Sequence, residues 1–271
     1  MSEIAAMKAP RTAARGAGVL RMSGAAWFIV AMIGHLAFAA YVIANYGGDL
    51  LRGAPTDWNK TLIHGIVPGD AAGNAVLAAH LLFAAIITLG GPLQLIPQVR
   101  RARAFHRWNG RVYLTSAVIM SVGGLHIVWT RGTLGGLVNV IAISLNAVLI
   151  LACAAMTVRY ALARRFDLHQ RWATRLFLVV SGVWFFRVGM MAWIAINGGP
   201  VGVGEELDGP FAVSWAYGQY LLPLAVYELY VRAGRSGAFA RFAAAGLVAA
   251  LTVLTAGGVA MASLFMWLPR V

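Results

Sequence analysis

Long apolar runs, separated by short segments rich in arginine, leave this chain few ways to fold. The runs cover residues 22–46, 72–96, 110–130, 134–160, 171–197, 211–231 and 239–268. Each is long enough to cross a bilayer as a helix. Inside hydrocarbon the backbone must satisfy its own donors and acceptors, so only helices or a closed barrel can span it. The runs show no period-two alternation, which excludes a barrel. The expected fold is all-α: a polytopic membrane protein with seven transmembrane helices. Charged residues make up 11% of the chain, where a soluble domain would carry about a quarter. No stretch is large enough to bury a soluble core of its own. Gly90, Gly91, Pro92 and Pro97 should bend the end of the second span, because each proline removes a backbone donor.

The arginines orient the spans. Seventeen of the 22 Lys and Arg residues fall before the first run or in 97–111, 159–175 and 232–241, which alternate with the connections holding Arg52, Lys60, Arg131 and Arg270. The positive-inside rule then puts the N-terminus in the cytoplasm and the C-terminus outside, in a bacterial plasma membrane. Residues 1–21 read as a basic cytoplasmic tail and 22–271 as the seven-helix domain. The first apolar run is too long for a signal-peptide core and reads as an uncleaved anchor. The net charge of +13 is explained by this asymmetry and by anionic inner-leaflet lipids as partner, so no nucleic acid is expected. The single cysteine, Cys153, rules out a disulfide framework within the chain and a multi-cysteine metal site. No span contains lysine, which excludes a retinal Schiff base. No GxxxxGK[ST], HExxH or GxSxG motif occurs.

One motif is written twice. His106-Arg107-Trp108-x-x-Arg111-x-Tyr113 precedes the third span, and His169-x-Arg171-Trp172-x-x-Arg175-x-Phe177 opens the fifth. Each arginine pair is spaced i,i+4 and shares one helix face. The plain reading makes both copies interface anchors, with arginines reaching lipid phosphates and tryptophans at headgroup depth. The sharper reading pairs His106 with His169 as ligands of a metal or heme, with arginines on the propionates. The offset between the copies also suggests that spans two–three and four–five are related hairpins.

His35, His80, His126 and Arg187 lie within spans. At about 1.5 Å rise per residue all four fall in the outer half of the bilayer or near its midplane. For each histidine the structural alternative is a neutral imidazole bonded to a helix carbonyl or hydroxyl. Arg187 stays charged and needs a carboxylate, carbonyls, water or an anionic ligand. No acid in another span lies at its level; Glu228 sits near the inner end of the sixth span, where Arg232 at i+4 can pair with it. Asn139, Asn146, Ser181 and Gln219 are polar helpers on neighbouring spans.

His80 a dozen residues before Gly91-Pro-x-Gln94, then His106-Arg107-x-x-Gly110-Arg111-x-Tyr113, then His169-x-Arg171-Trp172-x-x-Arg175 and the later Arg187, resemble the bacterial family of predicted membrane proteins called domain of unknown function 2306. The resemblance covers about residues 72–195 and implies fold and membrane location. His35 and His126 lie outside its pattern. Two functional readings stay open. In one, the protein is a b-type heme electron carrier with His80, His106 and His169 as iron ligands, His126 and Arg187 beside the cofactor, and a quinone or other redox partner. In the other, Arg187 and His80 bind or transport an anionic or quinone-like lipid or a small solute without heme, with Gln94, Arg107, Arg111, Arg171 and Arg175 along the lipid-binding rim. A purely structural role in assembly is the third alternative.

Overall fold

The apolar runs close their backbone hydrogen bonds as helices, as lipid requires. The computed structural model describes residues 2–62 and 65–270. Among them are α1 (Ser2–Val42), α2 (Gly48–Leu51), α3 (Ala71–Leu95), α4 (Pro97–Arg101), α5 (Arg103–Thr130), α6 (Gly136–Leu162), α7 (Phe166–Val180), α8 (Gly182–Asn197), α9 (Pro210–Gly234) and α10 (Ala238–Ala262), and no strand. The basic stretch before the first run is helical from Ser2 and continuous with it. α3 runs through Pro92 and ends at Ile96, whose extended ψ of 124° is what a following proline imposes.

Five segments are long and apolar enough to cross a membrane: Thr12–Leu51, Ala71–Leu95, Arg103–Thr130, Gly136–Leu162 and Ala238–Arg270. α7 and α8 pass that test only together, bent by 56°, and counted as one span they make six. The expected straight fifth span is therefore broken. The expected sixth span corresponds to α9, which has 25 residues but is not among the segments apolar enough to qualify. Its polar residues face protein: Gln219 is buried and Glu228 holds an arginine of α7.

Neighbouring helices form a closed circuit, α1, α3, α5, α6, α9, α10 and back to α1. The broken pair lies inside it, α7 against α3, α6 and α9, and α8 against α9 and α10. Four consecutive residues of α7, Leu176 to Val179, are all buried. An amphipathic surface helix cannot do this; a helix surrounded on every side can.

The break falls at Ser181-Gly182, a pair of the kind that commonly bends helices. His35 of α1 reaches it. His35 Nδ1 lies 2.7 Å from the Ala31 carbonyl and Nε2 lies 3.0 Å from Ser181 Oγ. A carbonyl only accepts, so Nδ1 carries the proton and Nε2 accepts from the serine hydroxyl. The ring stacks on Trp184 at 4.3 Å. His35 is a fully satisfied neutral imidazole that ties α1 to the bend.

Candidate functional site

The two motif copies occupy equivalent places in two hairpins, α3–α5 and α6–α7. In the first, Gln94 Nε2 donates to the His106 carbonyl at 3.3 Å. In the second, His169 Nδ1 donates to the Thr157 carbonyl at 3.0 Å. Both bonds join residues twelve apart, at positions that superpose on a shift of 63, so the hairpin relationship read from the sequence has a structural counterpart.

The surroundings of the copies differ. Arg107 and Arg111 are exposed, and Arg111 lies over Trp108, itself 66% exposed, at 5.2 Å. That copy matches the anchor reading. The second copy faces inward. Trp172 packs on the buried cluster of Ile87, Tyr113, Cys153, Ala154, Leu176 and Val179. Arg175 donates through Nε to Glu228 Oε1 at 2.8 Å and lies over the rings of Trp172 and Tyr227. The partner of Glu228 is thus Arg175 and not the expected Arg232, because α9 turns this face toward α7.

Arg171, on the same side of α7, borders a cavity of about 900 Å³ between α1, α7–α8, α9 and α10. Its arginine-rich end is lined by Arg21, Asp167, Gln170, Arg171, Tyr230 and Arg235. The shaft is apolar, with Phe28, Phe177, Phe185, Val226 and Leu251 among its walls. At the far end Trp215 lies across Gly189, where a side chain would overlap the indole, and Trp215 Nε1 donates to the Phe186 carbonyl at 3.1 Å. Three guanidiniums face one carboxylate at the mouth, and aromatic and aliphatic side chains line what lies above. The volume is at the upper end of the range for small-molecule sites. Such a shape accommodates an amphiphile: an anionic head at the mouth and hydrocarbon in the shaft.

The histidines singled out in the sequence do not line this cavity. His80 packs against Gly123 and Gly124 of α5, and its buried Nδ1 has no partner. His126 is exposed on α5, within electrostatic reach of Asp70. His106 and His169 lie close enough to feel each other's charge, but His169 Nδ1 is committed to Thr157. Among the described residues no group of three or more His, Cys, Asp or Glu is placed to hold a metal ion. Among the described residues no histidine lines the 900 Å³ cavity. Arg187 lies over Phe38 of α1, and His80 of α3 packs against α5. Arg21, Arg235, Tyr227 and Tyr230, which shape the mouth, carry no motif; in the sequence they are ordinary inner-rim residues of the first and sixth runs.

Outside the bilayer core, Arg131 at the end of α5 closes the hairpin against the start of α3. It donates to Asp70 Oδ2 at 2.6 Å and to the Gly65 carbonyl at 2.7 Å. Arg131 and the Gly73 amide hold the Asp70 carboxyl below the usual carboxylate range.

Residues 77–204 match the model of a family described as predicted membrane protein, domain of unknown function 2306. No curated protein and no solved structure matches the chain.

Proposed function

For a chain that carries this family's domain over residues 77–204, we propose that the protein binds an anionic phospholipid of the cytoplasmic leaflet in the cavity between α1, α7–α8, α9 and α10. The single observation that carries the reading is the division of that cavity: Arg21, Arg171 and Arg235 against Asp167 alone at one end, and an apolar shaft beyond them. Charge complementarity selects an anionic head. Burial of each acyl methylene adds about 0.8 kcal/mol. In this reading the arginine-rich end faces the cytoplasm, α9 crosses the bilayer with the six other spans despite its polar residues, and the membrane is the bacterial plasma membrane. The first motif holds the domain at the headgroup level, and the second supplies Arg171 to the lipid and Arg175 to the scaffold.

The test is the lipid that stays with the protein. After purification in mild detergent, native mass spectrometry and lipid extraction should find stoichiometric anionic phospholipid. Val226→Trp, which fills the shaft, and the pair Arg171→Gln with Arg235→Gln, which discharges the mouth, should each strip it while the protein stays folded. Protein that retains no lipid, or retains it equally in all variants, sinks the reading.

A further inference from the structure

A second cluster lies at the opposite end of the bundle, and none of its residues lines the cavity. At its centre is Arg187 of α8. Its guanidinium carbon lies 5.2 Å from the centre of the Phe38 ring. Phe38 in turn lies 5.4 Å from Trp267 and 6.2 Å from Tyr41. The hydroxyls of Tyr41 and Tyr46 are 3.4 Å apart. Arg187 is within electrostatic reach of both phenols and of Arg270.

What this cluster lacks is an acceptor. Among the described residues no carboxylate lies within ion-pair distance of Arg187. Its one hydrogen bond is a long 3.4 Å contact to the Val183 carbonyl, a turn back on its own helix. Trp267 is 2% exposed and its buried Nε1 has no partner; the buried Nδ2 of Asn45 has none either. Acids do stand nearby. Asn45 and Arg270 border a recess of about 310 Å³ together with Asp49, Asp57, Arg52 and Lys60. Each acid, however, is already joined to its own i,i+3 partner, Asp49 to Arg52 and Asp57 to Lys60. Among the described residues, therefore, Arg187 and Arg270 have no carboxylate within ion-pair distance.

The backbone singles out the same place. Asn45 and Tyr46 belong to a π-helical turn, Ile43–Gly47, and Trp267 to another, Ser263–Trp267. Single π turns are rare and concentrate at functional sites because they redirect side chains at some cost in regularity. Here two of them, at the ends of two different spans, carry the unpartnered donors of Asn45 and Trp267. A half-buried guanidinium with one weak bond is costly, and a group that supplied negative charge and several acceptor lone pairs would offset that cost.

We propose that Arg187, Trp267, Asn45 and the Tyr41–Tyr46 pair form a binding site for one anionic group, a carboxylate or phosphate, reached through the recess beside Arg270. Arg187 supplies the counter-charge, and the indole, amide and phenol groups supply neutral donors. The site is separate from the cavity at the arginine-rich end and stands whether or not that cavity holds lipid.

The full chain in detergent provides the test, with thermal unfolding measured in sodium phosphate, sodium acetate and sodium chloride at equal ionic strength and pH. Phosphate or acetate should raise the midpoint above chloride in a saturable way, and Arg187→Gln should weaken that binding by about a hundredfold. Trp267→Phe keeps the ring and removes one donor, and should weaken it about tenfold. Val226→Trp should leave it unchanged, which separates this site from the cavity. If the anion is a lipid headgroup, the free ions will have no effect, and native mass spectra will instead show a phospholipid adduct that Arg187→Gln and Trp267→Phe release. Neither ion-specific stabilisation nor such an adduct overturns the proposal. If Arg187→Gln does not fold, binding unchanged in Trp267→Phe overturns it equally.

Discussion

Arg107-Trp108-x-x-Arg111 and Arg171-Trp172-x-x-Arg175 are nearly the same words, yet one is turned outward and the other to protein. Trp108 is 66% exposed with Arg111 stacked on it. Trp172 is packed on a buried cluster, and Arg175 is bonded to Glu228 of α9. The difference comes from what stands beside each helix. α5 belongs to the outer circuit, flanked by α3 and α6, so one face of its first turns has no helix against it. α7 lies inside the circuit with α3, α6 and α9 around it, so Trp172 and Arg175 meet protein. The lesson is that an interface-anchor motif keeps its spacing and changes its job when its helix moves inward.

Tryptophan replacement should separate the copies most. Trp172→Ala should cost about 3 kcal/mol through lost burial and the cavity left behind, whereas Trp108→Ala should stay within about 1 kcal/mol. Chemical unfolding in detergent measures both, and equal losses would break the comparison. Next comes the ion pair. Arg175→Leu strands Glu228 and should cost about 2 kcal/mol, less than a fully buried pair because the Glu228 side chain is 38% exposed. The matching Arg111→Leu should cost no more than about 0.5 kcal/mol. A smaller effect concerns lipid. Arg171→Gln should lower retention of anionic phospholipid about tenfold, some 1.4 kcal/mol, and Arg107→Gln should leave it unaltered, as read by lipid extraction.

The smallest effect is expected at the other end of the first hairpin, where Arg131 holds Asp70. Because the folded carboxyl lies below its unfolded value near pH 3.9, its stabilisation is complete above that value and is lost as pH falls through the lower folded one. The midpoint of the wild-type protein should therefore drop more steeply below about pH 4 than that of Asp70→Asn. Parallel curves would remove Asp70 from the acid response.

A second contrast runs along the chain. The family match covers 77–204 and so includes most of α3, all of α5 to α8 and the connection that follows. α1, α9 and α10 lie outside it. The cavity is built across that seam, with α7–α8 on one side and α1, α9 and α10 on the other. The anion cluster crosses the same seam, since Arg187 belongs to the matched region while Phe38, Tyr41, Tyr46 and Trp267 do not. Histidines of the family pattern, His80, His106 and His169, lie in the α3–α5 and α6–α7 hairpins, and none of them lines that cavity.

Composition and run length alone determined that this protein is helical and membrane-embedded and where its basic residues collect. Those properties follow from the bilayer's demand for closed backbone hydrogen bonds and from charge avoidance of hydrocarbon, both of which act locally along the chain. Which motif copy faces inward, the bend at Ser181 and the partner of Arg175, 53 residues away, were decided only by the tertiary structure. Each depends on how far a helix is rotated about its axis and which helix stands next to it, and contacts between distant segments carry no signature at i,i+3 or i,i+4.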